Sequence, residues 1–178
     1  MKNFLDLIYY DAIRLVDRGN FEDPPSNDLR FEMLMGIRRY FPDFQKGGIS
    51  EVKEWNLVRL GEEDLSRLLL INAGDRRQMS GGTLKPMDAA KRIEDGIIFS
   101  GGDVQKDANF IRDNAEKLAV DTSRIVLVGP ESESLTVVDG VHRITALFLH
   151  YFVRTRGNFN SREAYHGISQ RTYNFRFG

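Results

Sequence analysis

The sequence predicts an α+β fold, a small mixed β-sheet flanked by helices, and three observations carry that expectation. Segments of helical period mix with short β-branched runs, without the repeated strand-helix-strand unit that builds a doubly wound sheet. The stretch 124–138 reads as a hairpin that feeds straight into an apolar helix. The chain has 178 residues, 41% of them hydrophobic, and no cysteine, a size at which a core forms without disulfides or Cys-bound zinc.

Taken in order, Phe4, Leu7, Ile8, Ala12 and Leu15 recur at helical spacing as far as Gly19. Pro24 and Pro25 then mark a loop, and a second helix over 29–40 stops before Pro42. Residues 1–50 are therefore expected to form a helical extension to the main domain, 51–178, in one compact unit. Trp55 to Leu60 is a strand candidate with Trp55 in the core. Glu62 to Ala73 is expected to be helical, with acidic residues in the first turn where the dipole favours them and Gly74 as its stop. A polar, Gly-containing linker runs on to Thr83, and Pro86 suits the first position of a helix reaching Asp95, where its missing N–H has no partner to lose.

Ile97 to Phe99 is a short strand candidate, Gly101, Gly102 and Asp103 form a loop, and a helix spans Gln105 to Ala119. The clearest signal follows: strands at Arg124–Val128 and Leu135–Val138 around a turn, then Asp139-Gly140 and a helix over Val141–Val153. The alternation of Tyr173, Phe175 and Phe177 fits a final half-buried strand.

Lys plus Arg at 25 against Asp plus Glu at 26 gives a net charge of −1, so nucleic acid or an anionic membrane is no partner for the molecule as a whole. The charge is divided, however. Residues 154–178 hold five arginines and one acid, Glu163, a net +4, which leaves −5 for residues 1–153. Aromatic residues interleave with Arg162, Arg171 and Arg176 there, a pattern that suits single-stranded nucleic acid as well as the strand just described. Residues 1–17 are too charged for a signal peptide, and the most apolar stretch, 144–153, is ten residues against the roughly 20 that a membrane span needs. A cytoplasmic protein with no membrane partner is expected. Without cysteine, thiol chemistry is excluded.

Chemistry is expected at the strand-to-helix junction Asp139-Gly140-Val141-His142-Arg143. Gly140 permits a sharp turn, Arg143 can fork two hydrogen bonds onto a phosphate, and His142 can hold an anion or move a proton near neutral pH. Asp139 repels phosphate but suits Mg²⁺ or the orientation of His142 and Arg143. The plainer alternative makes Asp139 a helix cap and leaves His142 and Arg143 facing solvent. The basic segment Arg76, Arg77, Gln78, Ser80, Gly81, Gly82, Thr83 and Lys85 is a candidate substrate loop closing over a phosphate, or an ordinary linker, and lacks the ending of a P-loop. Phosphoryl transfer would need a carboxylate base, for which Glu62, Glu63, Asp64, Asp88 and Glu94 are candidates. The three histidines lack metal spacing, so His150 is expected in the core or an interface, with His166 in the tail.

The run IVLVGPESESLTVVDGVHRITAL resembles the ParB/sulfiredoxin-like superfamily, nearest to its free-serine-kinase-like and DGQHR-domain members. The similarity is closest over 124–147 and extends in element order over 55–153. It implies a nucleotide-binding domain over 51–178, with Gly140, Val141, His142 and Arg143 on the phosphates and Asp139 supporting them or a Mg²⁺. It also implies a catalytic acid upstream, which favours Glu62 or Glu63. The expected function is thus phosphoryl transfer from ATP, ADP or CTP to a small-molecule acceptor, or nucleotide hydrolysis. A nucleic-acid-binding or nuclease module of a DNA-modification or defence system, and a non-catalytic nucleotide sensor, are the alternatives. Val141 stands where sulfiredoxins carry their cysteine, which excludes sulfinic-acid repair. The Gly-Glu-Arg-Arg turn of chromosome-partition proteins is absent, and only 25 residues follow Val153, where their helix-turn-helix would lie, so a partition protein is not expected.

Overall fold

The computed structural model describes residues 54–122 and 124–169, with the side chains of 54, 55 and 57 left out. The helical extension over 1–50, the core role of Trp55, the strand at 173–177, Arg171 and Arg176 therefore lie outside the described residues.

Five strands within those residues, β1 (Glu54–Leu60), β2 (Leu68–Leu70), β3 (Ile125–Gly129), β4 (Leu135–Asp139) and β5 (Arg162–Ile168), form one mixed sheet in the order β1-β5-β3-β4-β2. β1 runs antiparallel to β5, β5 parallel to β3, β3 antiparallel to β4, and β4 parallel to β2. The β-branched run of β3 is buried along its whole length, as a central strand covered on both faces must be. Around the sheet lie α1 (Glu62–Leu65), α2 (Gly74–Ser80), α3 (Pro86–Glu94), α4 (Gly102–Asp113), α5 (Ala115–Val120) and α6 (Val141–Leu147). The expected α+β class with a mixed sheet and flanking helices is thus what the chain adopts. Pro86 opens α3 as expected, and the small, fully buried Ala89 and Ala90 let that helix lie close to the segment after α6. No helix among the described residues is long and apolar enough to cross a membrane.

Several expected elements differ, each for a physical reason. Only the first turn of the Glu62–Ala73 helix forms. Leu68 to Leu70 has good helix propensity but pairs with β4, where Leu68 and Leu70 are buried. Arg67 pins this pairing: its guanidinium donates to the carbonyls of Glu131 and Glu133, and its own carbonyl accepts from the Leu135 N–H at 2.9 Å. The expected linker 74–83 is largely α2, and Gly74 begins that helix instead of ending another. Ile97 to Phe99 forms no strand; Ile98 is 88% exposed, and the Phe99 N–H donates to the Gln105 side chain. The Gln105–Ala119 helix starts earlier, taking in Gly102 and Asp103, and breaks at Asn114, whose side chain donates to the Phe110 carbonyl at 2.9 Å. The Val141–Val153 helix changes to π-helical winding over Phe148–Arg154 and ends where the Thr155 N–H reaches the His150 carbonyl.

The largest difference is β5. Arg162, Glu163, His166 and Gly167 interrupt any apolar alternation, yet the strand sits inside the sheet. Its polar residues have partners on other elements: His166 Nε2 lies 2.8 Å from the Gly129 carbonyl, and Glu163 pairs with Arg124 at 2.7 Å. Arg162 is buried and donates to the carbonyls of Ala119, at 3.0 Å, and Asp121. Burial, and then the nearby Arg143, push its guanidinium below the usual arginine range, with Asp121 and Tyr151 acting in the opposite direction. The basic, aromatic tail is therefore partly structural. Arg154 pairs with Glu94, Tyr165 is buried, and Phe159 packs on Tyr151 and Phe152.

Replacing Arg162 by Met keeps the length but leaves two carbonyls without their charged donor. Arg162→Met is expected to lower stability by about 2–4 kcal/mol, read as a shift of the urea midpoint.

Candidate functional site

β4 ends at Asp139, and Gly140 turns the chain into α6 with φ +83°, a left-handed conformation. A Cβ there would lie 2.5 Å from Cγ2 of Ile125, so the position has neither the dihedral nor the space for a side chain. The N-cap position of α6 is Gly140, which has no side chain to cap the helix. The Asp139 carboxylate accepts from Arg143 Nη2 at 3.1 Å, one helical turn on, with the two side chains 30% and 18% exposed. Val141, the first residue of α6, packs against the core.

His142 points to α4. Its Nε2 lies 3.0 Å from Oδ2 of Asp107, and the same oxygen accepts from Arg76 Nη1 at 3.1 Å. Arg76, on α2, also has Asp75 at 3.3 Å. One carboxylate thus ties the basic segment to the Asp139–Arg143 turn and holds the Nε2 side of the imidazole, leaving Nδ1 with no hydrogen bond among the described residues. Phe110, on α4 one turn after Asp107, meets the His142 ring at 6.0 Å. Sequence reasoning missed Asp107. The available signal was an acid in the predicted 105–119 helix, three residues before an aromatic side chain, but no motif marks such an acid.

The charges nearly balance. Arg76 and Arg143 stand against Asp75, Asp107 and Asp139, a net −1 while His142 is neutral. An incoming phosphate therefore needs either exchange of the carboxylates as guanidinium partners or a cation arriving with it. No three His, Asp or Glu side chains among the described residues converge as a ready-made metal site. A Mg²⁺ fits this donor set only as a nucleotide complex, because that ion is commonly held by one or two carboxylates together with phosphate oxygens and water. Asp139 or Asp107 would be the carboxylate to hold it.

The other expected site residues are elsewhere. Arg77 is exposed on α2. Ser80 is buried, and its hydroxyl donates to the Arg76 carbonyl at 2.8 Å and accepts from the Leu84 N–H at 2.9 Å, so it closes a backbone turn. Glu62, Lys85 and Asp88 line a separate cavity of about 400 Å³ floored by Leu65, Leu68 and Phe148. Leu68 pairs with Leu135, the first residue of β4, whereas Gly140 follows the last. The length of β4, about 13 Å of extended chain, therefore separates the ends of the sheet where these groups lie. Glu63 is exposed beside Glu62 on α1. Asp64 accepts from the Gly61 N–H at 2.8 Å and pairs with Arg67, and Glu94 pairs with Arg154, so both have structural roles. His150 lies edge-on to Tyr151.

No family model, no curated protein and no solved structure matches this chain.

Proposed function

We propose that this chain binds a nucleotide by its phosphates at the Asp139–Arg143 turn and catalyses phosphoryl transfer to a small hydroxylated acceptor, or hydrolysis of the nucleotide. The observation that carries this reading is the sharing of Asp107 by Arg76 and His142 beside the Arg143–Asp139 pair. Arg76 and the oriented imidazole of His142 meet at Asp107, and Arg143 follows His142 in the first turn of α6. The hairpin, Asp-Gly turn and helix support the ParB/sulfiredoxin-like similarity, and a fold of that kind with a helical extension over 1–50 belongs to the same proposal.

In this reading Arg143 and Arg76 neutralise the phosphates, exchanging part of their pairing with Asp139 and Asp107 for phosphate oxygens. Asp107 accepts from the His142 Nε2–H, so the neutral ring keeps Nδ1 as the acceptor that takes the proton from the attacking hydroxyl or water. This makes His142 the base, positioned by Asp107, in place of a carboxylate base at Glu62 or Glu63. When bound, Mg²⁺ supplies charge compensation for the phosphates.

The test is calorimetric titration with ATP, ADP and CTP in Mg²⁺ and in chelator, together with product assays on a panel of small hydroxylated acceptors. Binding is expected with Mg²⁺ and should be lost in chelator. Arg143→Ala should weaken it by about 10- to 100-fold while the protein stays folded. Folded protein that neither binds nor turns over any of the three nucleotides would sink the proposal. Binding without turnover would select the nucleotide sensor instead.

A further inference from the structure

The phosphate cluster accounts for Asp107 on α4 but not for Phe110, its neighbour one turn on. Phe110 is 48% exposed, although α4 turns its small and aliphatic residues Ala108 and Ile111 into the core. Leaving half a phenyl ring in water sacrifices part of the gain that burying a large aromatic brings. Its place is also particular. The ring meets the His142 imidazole at 6.0 Å with 66° between the planes, an edge contact, and no other ring or guanidinium stacks on it among the described residues. A half-exposed aromatic surface thus lies directly against the imidazole of the polar cluster, within one nucleoside's reach of a phosphate held there.

We infer that Phe110 is a stacking platform for the base of the ligand, so that the site takes nucleotides and discriminates against phosphates that lack an aromatic ring, such as pyrophosphate and sugar phosphates. The inference rests on the phosphate reading of the turn and adds the class of group at the ligand's other end. Stacking is tolerant of base identity because every base has a π face, so Phe110 selects for a base without choosing which one.

The experiment compares wild type and Phe110→Ala for binding of Mg·ATP, Mg·CTP and Mg·pyrophosphate by calorimetry. Because the side chain is half exposed, the variant should fold with a melting temperature close to that of wild type, checked by circular dichroism. The expected result is a loss of about 5- to 150-fold in affinity for both nucleotides and no change for pyrophosphate. Phe110→Trp should retain nucleotide affinity, and its added indole fluorescence should be quenched by nucleotide but not by pyrophosphate. If wild type binds all three ligands and Phe110→Ala leaves them unchanged, or weakens all three equally, the stacking role is overturned while phosphate binding stands. If wild type binds none of them, the phosphate reading itself has failed, and the platform fails with it.

Discussion

Gly140→Ala is expected to destabilise the protein by about 2–5 kcal/mol, through two additive causes. A non-glycine residue at φ +83° carries about 1–2 kcal/mol of left-handed strain. The new Cβ would also stand 2.5 Å from Cγ2 and 3.1 Å from Cβ of Ile125, which is fully buried in the central strand β3 and has nowhere to go. Overpacking of that kind costs about 1–3 kcal/mol. Gly82→Ala is the matched control, since Gly82 has φ +92° but nothing within 4 Å of its added methyl. Urea unfolding of both variants separates the causes: strain should appear in each, the clash only at Gly140. Equal midpoint shifts would show that Ile125 does not wedge the turn.

The second large effect concerns activity. Asp107→Asn removes the charge shared by Arg76 and His142 but nearly keeps the shape. If His142 is the base, turnover should fall about 10²- to 10⁴-fold, because an amide can donate to Nε2 and stabilise the wrong tautomer. Binding should move the opposite way. With one carboxylate gone the cluster changes from −1 to neutral and Arg76 is released toward the ligand, so nucleotide affinity should hold or rise. Single-turnover kinetics and calorimetry on the same preparation check this split. A parallel loss of binding and turnover would instead mean that Asp107 only holds the site together.

The parts of this molecule readable from sequence are those whose local pattern and tertiary role agree. β3 and β4 are β-branched and central, Pro86 begins α3, and the Asp139-Gly140 turn lies where the hairpin meets the helix. Reading failed where distant contacts decide. Leu68 to Leu70 becomes a strand because β4 lies beside it and Arg67 fastens it to the hairpin, neither of which a helix-forming sequence reveals. β5 is masked by Arg162 and His166, polar residues buried against carbonyls far away in the chain. The site divides the same way. Gly140, His142 and Arg143 form a contiguous signature, whereas Asp107 belongs to the cluster only because α4 packs on α6. Ser80 and Lys85 show the converse, lying in the same short segment as Arg76 but turned to other tasks by the winding of α2 and the bend after it.

The strand order has a consequence for how the molecule is made. Among the described strands β1 is synthesised first, yet its partner in the sheet is β5, about one hundred residues later. A nascent chain can assemble β2, β4 and β3 and close the Gly140 turn while β1 waits and the flank of β3 stays open. Until residues 162–168 emerge, neither β1 nor that flank has the strand that pairs with it in the finished sheet, and unpaired strand edges are the part of a growing chain most exposed to aggregation.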